Sequence, residues 1–345
     1  MTRHELGPAR HLVADVLSRH ATPVLTVAPG DRLVVSTLDV LGHLERPRFP
    51  GDDRPKMFPE FRGHCLAGPI AVDGARPGDL LAVQVRSCRP GPWGFTLTGV
   101  HDTPLNRRVG IGATRWLLWD IDPDAGVARC DLGHEVDLAP FLGIVGLAPT
   151  EPGEHSTFPP RPCGGNLDCR ELVAGSTLFL PVGVDGALLY LGDGHAAQGD
   201  GEVAGTAIEC PMTTELVVDL VDRPSLEVLH AVTPAGRLSF GLSPDLDQAA
   251  GDALDAMVTW LQRDLSCSRD DAMALATVAV DLRVTQVVNQ TFGVHALWPH
   301  DRLRPSATGR PAATGDPAAP SLRPPDAPQP SMAAIDQIDR PPLSN

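Results

Sequence analysis

The chain has 345 residues, 42% hydrophobic and 21% charged, enough for one large core or two fused ones. Its 28 Lys+Arg against 43 Asp+Glu leave a net charge of −15, which repels a phosphate backbone and argues against a nucleic-acid partner. With 34 Gly, 35 Pro and 4% aromatics, many turns and tight loops are expected rather than long helices.

The segment from Met1 to Val16 mixes His, Glu, Arg and Asp and has no apolar stretch, so no secretory signal is read there. No apolar run approaches the ~20 residues of a membrane span. The expectation is a cytoplasmic chain with no membrane partner. Strands are predicted at Leu33 to Asp39, Leu80 to Val85 after the turn Pro77-Gly78-Asp79, and Trp116 to Ile121. Further strands are predicted at Thr177 to Val184, Ala187 to Leu191, Val203 to Ile208 and Glu215 to Leu220. Two helices follow. From Gln248 to Leu265, Ala250, Leu254, Met257, Val258, Leu261 and Leu265 recur on one face. Ser268 with Asp271 forms a capping-box pattern that opens a helix over Asp270 to Leu282. The fold class expected is α+β and β-rich, with sandwich- or barrel-like sheets and two late helices packed on them. Residues 1–302 form the body. Residues 303–345 hold ten prolines and little aliphatic bulk, which predicts a disordered tail. The seven cysteines form no C-x-x-C pair and read as unpaired thiols in a reducing compartment.

Several chemistries are excluded. There is no G-x-S-x-G for a serine hydrolase of the α/β type, and His134-Glu135 lacks the second His of H-E-x-x-H. The single lysine, Lys56, lies in Arg54-Pro55-Lys56-Met57, a surface-loop context that suits neither a P-loop nor a catalytic lysine.

Two polar clusters remain. Gly192-Asp193-Gly194-His195-Ala196-Ala197-Gln198-Gly199-Asp200-Gly201-Glu202 begins where an apolar strand leaves the core. In extended geometry Asp193 and His195 share a face, as do Asp200 and Glu202. Their small neighbours leave room for a ligand. Such a group can hold a divalent cation, supply a general base, or simply be a solvated turn. Upstream, Cys163-Gly164-Gly165-Asn166-Leu167-Asp168 combines close backbone approach with polar side chains, as an oxyanion site or a plain Gly-Asn turn would.

These segments resemble the acetamidase/formamidase family. The resemblance runs through Gly164-Gly165-Asn166-x-Asp168, Gly175-Ser176-Thr177-Leu178-Phe179-Leu180-Pro181-Val182 and Gly192-Asp193-x-His195 to Gly205-Thr206-Ala207-Ile208-Glu209. Outlying pieces are Thr37-Leu38-Asp39, Pro140 to Pro149 and Asp281 to Asn289, so it spans roughly Leu33 to Leu303. It implies hydrolysis of short aliphatic amides to a carboxylate and ammonia, a β-rich α+β fold and a homo-oligomer. Cys163 departs from the pattern, where His often precedes Gly-Gly-Asn.

Roles follow from the chemistry an amide demands: a strong nucleophile and an acid for the leaving amine. A water held on a divalent cation meets the first need. Zinc is the first expectation for the cation, with calcium or magnesium as alternatives. His195 is the expected ligand, with Asp168 and Asp39 as partners and Asp193 as ligand or orienting group. Glu202 is the expected general base, with Asp200 as rival. Gly164, Gly165 and Asn166 are expected to hold the substrate carbonyl. His64 is a further site candidate, and His295 reads as a core or interface position. A divergent metal-dependent lyase or isomerase, or a binding protein without catalysis, are the alternative readings.

Overall fold

In the computed structural model the residues described are 1–60, 62–100, 103–221, 224 and 226–304. Alternating burial makes the large sheet. In Arg32–Thr37 the side chains of Leu33, Val35 and Thr37 point inward, while Arg32, Val34 and Ser36 face outward or lie half-buried. Nine strands pair in the order Arg3–Leu6, Arg32–Thr37, Met212–Leu220, Leu80–Pro90, Thr177–Pro181, His230–Val232, Gly236–Ser243, Phe292–Pro299 and Asp281–Gln286.

A second sheet runs Gly164–Asn166, Phe141–Leu147, Leu189–His195, Leu66–Val72 and Val13–Ala14, with Leu25–Val27 parallel to Leu66–Val72. Phe141–Leu147, Leu189–His195 and Leu66–Val72 are buried along their whole length, so both faces of these strands are covered. Leu142, Val145, Leu189 and Leu191 of this sheet share one core with Leu33, Val83, Leu178 and Leu216 of the large sheet. That is the expected sandwich-like packing. A smaller sheet of Glu135–Asp137, Val127–Cys130, Arg115–Asp122 and Trp93–Thr98 completes the β structure described.

The two late helices are present. Leu246–Leu265 starts earlier than expected because Asp245 caps it, accepting from the Gln248 amide at 2.9 Å. Ala249, Ala253, Met257, Val258, Trp260 and Leu261 form its buried face, and Ala250, Leu254 and Leu265 are partly buried beside it. A Cβ on Gly241 would lie 1.8 Å from Ala249 O, so glycine there permits the helix to sit on the sheet. The second helix, Arg269–Ala279, is capped by Ser268 as expected but stops short of Leu282. From Asp281 onward the chain pairs with Phe292–Pro299 instead, and that ladder overrides local helical propensity.

Two strand expectations are corrected. Residues 203–208 form no strand, and Val203 is 64% exposed. The predicted Ala187 to Leu191 begins later and runs on to His195. Leu303 packs against the helical core. The expected tail from 305 onward lies outside the described residues.

Candidate active site

His195 ends the buried strand Leu189–His195, opposite Phe141, whose ring meets the imidazole edge-on at 5.1 Å. Gln198 fixes that imidazole. Its Nε2 donates to Asp168 O at 2.7 Å, so its Oε1 is the atom facing His195 Nδ1 at 2.8 Å. A carbonyl oxygen only accepts, so Nδ1 carries a proton and Nε2 is the atom left for the site. Nε2 is buried without a hydrogen-bond partner.

Four buried carboxylates surround this ring. Asp193 Oδ1 and Glu209 Oε1 each lie 3.3 Å from Nε2, and Glu202 Oε1 lies 4.0 Å from it. Asp168 Oδ1 lies 4.0 Å from Nδ1. Asp168 Oδ1, Asp193 Oδ1 and Glu209 Oε2 have no hydrogen-bond partner and no access to water. Asp168, Asp193 and Glu202 hold left-handed backbone, with φ of 49°, 60° and 43°. Such conformations cost side-chain-bearing residues free energy and persist where the surroundings impose them, often at functional sites.

The electrostatics match this crowding. Burial raises Asp168 to about 7, with His195 opposing and Asp193 adding to the rise. Burial, then the charge of Glu209, raises Asp193. Burial and the charge of Asp168 raise Glu202 well above the usual carboxylate range. Burial works against a charged His195, but Glu209 and Asp193 outweigh it and raise the imidazole well above its ordinary value. So many buried acids demand positive charge among them.

The donor set fits a divalent cation. Ligand atoms of Asp168, Asp193 and His195 lie within 4.8 Å of one another, as do those of His195, Glu202 and Glu209. Gly143 keeps the space between them clear. A Cβ there would lie 2.6 Å from Asp168 Oδ1, 2.7 Å from Asp193 Oδ2 and 2.8 Å from His195 Cε1.

A cavity of about 420 Å³ adjoins the cluster. Trp119, Val136, Ala197 and Ile208 give it apolar walls, and Thr96 and Gln198 add polar groups. Of the four acids, Glu202 is the one that lines it.

The structure thus joins His195, Asp168, Asp193 and Glu202, while Asp39, Gly164, Gly165 and Asn166 are engaged elsewhere. Asp39 is fully buried, but its carboxylate is spent on the amides of Leu41 and His43 and on the His43 ring. Asp200 lines the same cavity as Glu202. The chain turns between them, and Arg283 Nε holds Asp200 at 2.8 Å. Gly164 and Gly165 line no part of the cavity. They pair with Gly146 and Val145, and a Cβ on Gly146 would lie 2.2 Å from Gly165 N, so these glycines serve backbone approach. Asn166 donates to Phe158 O. Cys163 faces Leu147 O rather than the acids. His64 is buried, held by Thr157 Oγ1 at 2.6 Å, and lies near enough to feel the charges of Asp193 and His195.

Glu209 and Asn289 are site residues that residue-by-residue reasoning passed over. Asn289 donates to Asp168 Oδ2 across 121 residues. Glu209 comes beside His195 through an isolated antiparallel bridge. Its signal was its place at the end of the Gly205 to Glu209 motif.

Comparison with known proteins identifies the family. The family model of the Acetamidase/Formamidase family matches residues 18–153 and 150–234. The chain is 30% identical to an acetamidase of Mycolicibacterium smegmatis over 46% of its own length and 53% of the relative's. It is 29% identical to a formamidase of Methylophilus methylotrophus over 57% of its length and 61% of the relative's. It therefore spans little more than half the length of these curated relatives. The crystal structure of an acetamidase from Bacillus halodurans superposes with a TM-score of 0.76 at 26% identity, covering 86% of this chain and 97% of that one. The matched segments contain Asp168, Asp193, His195, Glu202 and Glu209, the residues of the buried cluster, and the chain belongs to the acetamidase/formamidase family.

Proposed function

We propose that this chain hydrolyses short aliphatic amides, of the formamide or acetamide type, to the carboxylate and ammonia. The carrying observation is a buried imidazole ringed by four carboxylates, one of which, Glu202, lines a largely apolar cavity. The names of the relatives support the same reading.

A divalent cation held by Asp168, Asp193, His195 and Glu209 would supply a Lewis acid and would lower the pKa of water to about 7. Gln198 orients His195 toward it, and Asn289 orients Asp168. One imidazole among carboxylates suits zinc, whereas calcium or magnesium would draw on the carboxylates alone. Glu202 and Asp200 both line the cavity, but Arg283 holds Asp200 in an ion pair, so Glu202 is the group placed to take a proton from the attacking water and return it to the departing amine. Trp119, Ala197 and Ile208 provide an apolar wall for the acyl chain. No helix among the described residues is long and apolar enough to cross a membrane. The seven free thiols support a reducing, cytoplasmic setting, and a homo-oligomer belongs to the same reading.

The test is ammonia release from formamide, acetamide, propionamide and larger amides, before and after chelation, with metal content measured on the same sample. Chelator-sensitive release supports the proposal. Turnover that survives complete metal removal overturns the cation's role, and absence of turnover on every amide with metal bound overturns amide hydrolysis itself.

A further inference from the structure

A second set of buried donors lies apart from the cavity. Cys169 and Glu171 sit in the loop after Gly164–Asn166, and His295 projects from the strand Phe292–Pro299. Sγ of Cys169 is 3.5 Å from Glu171 Oε2, and Nε2 of His295 is 3.4 Å from the same oxygen. All three ligand atoms lie within 4.8 Å of one another. Cys169 and His295 are fully buried and Glu171 is 8% exposed.

Glu171 and His295 are each held by a partner that leaves one atom free. Arg283, directly across the ladder from His295, binds Glu171 Oε1, so Oε2 is the oxygen turned to the cluster. Thr285 Oγ1 pairs with His295 Nδ1 at 2.8 Å, so Nε2 is turned the same way. That Nε2 is buried without a hydrogen-bond partner. This is the outer-shell pattern that orients metal-binding imidazoles and carboxylates.

We propose that Cys169 Sγ, Glu171 Oε2 and His295 Nε2 form a structural binding site for a thiophilic divalent cation, zinc above all. Zinc bonds of about 2.0–2.3 Å to N, O and S set the edge of a tetrahedral donor shell at about 3.5 Å. The Sγ–Oε2 and Nε2–Oε2 separations of 3.5 and 3.4 Å match that edge. Charge balances as well. Glu171, Asp200 and a Cys169 thiolate carry three negative charges, and Arg283 with a divalent cation carries three positive ones. On binding, the thiol proton leaves to solvent and a sulfur–metal bond replaces the S–H bond. Such a site ties the loop after Gly164–Asn166, which carries Asp168, to the strand carrying His295. It does not depend on amide hydrolysis.

The experiment is titration of metal-free full-length protein with Co²⁺, followed by Zn²⁺ competition. The expected result is the near-ultraviolet thiolate-to-cobalt charge-transfer band in the wild type, its loss on Zn²⁺ addition and its absence in Cys169→Ser. His295→Gln is expected to weaken cobalt retention by at least about tenfold. It serves as the second variant should Cys169→Ser fail to fold by circular dichroism. A wild type without the band overturns the site, as does a band unchanged in either folded variant. In that case Cys169 is a thiol that donates to Glu171.

Discussion

His195 Nε2 stands 3.3 Å from Glu209 Oε1, and an isolated antiparallel bridge joins the backbones of the two residues. Glu209 Oε1 also accepts from the Ala207 amide at 2.8 Å, while its Oε2 is unpartnered. Glu209 therefore has the geometry of a ligand and Glu202 that of a group facing substrate. Glu209→Gln is expected to lower retained metal as well as activity. Glu202→Gln is expected to retain metal and to lower kcat by roughly 10²–10⁴-fold. Metal content by mass spectrometry alongside kcat separates the two, and metal loss in Glu202→Gln would reverse the assignment.

Gly143 tests the cradle from the other side. Gly143→Ala places a methyl group 2.6–2.8 Å from Asp168, Asp193 and His195, so metal and turnover should both be lost while the fold persists. Gly251 provides the contrast. It is exposed within Leu246–Leu265, with nothing within 4 Å of an added Cβ. Gly251→Ala should raise stability by about 0.5–1 kcal/mol in denaturant unfolding and leave turnover unchanged.

Tyr190 joins the second sheet to the N-terminal segment. Its hydroxyl donates to Ser18 O at 3.1 Å and accepts from Ser18 N at 3.2 Å, and the ring is fully buried. Tyr190→Phe strands both backbone groups. A loss of about 1–3 kcal/mol is expected in urea unfolding, with the slope of the transition unchanged.

His230 sets an acid limit on stability. Burial lowers it from 6.5 to about 4, with the bond to Val228 O opposing. Its ring stacks on Phe179 at 4.5 Å and meets Trp260 edge-on at 5.0 Å. As pH falls, the unfolded chain takes up this proton before the folded one does. The contribution is therefore fully present above about pH 6.5 and is lost as pH falls toward about 4, up to about 3 kcal/mol. His230→Asn keeps a donor near Val228 O but does not titrate. It should flatten the pH dependence of unfolding in that window, and an unchanged slope would count against His230 as the source.

What could be read from sequence is what depends on neighbours in the chain. Alternation in Leu33 to Thr37, the 3.6 period through Met257 and Leu261, and the Ser268 cap each act over a few residues. Asp193 and His195 meet as their i, i+2 spacing predicts, both on the strand Leu189–His195, although Asp193 itself has left-handed backbone. No strand exists at Asp200 and Glu202, so the rule does not apply there; both line the cavity, and Arg283, 83 residues away, takes Asp200.

The sequence by itself determined the β-rich class, the late helices and a dense acid–His cluster, because local periodicity and residue type carry that information. Only the tertiary structure decided which acids meet. It brought Glu209 beside His195 and gave Asp168 its partner Asn289. The physical reason is that pairing between strands distant in the chain, not spacing along it, sets which buried charges must share one small space.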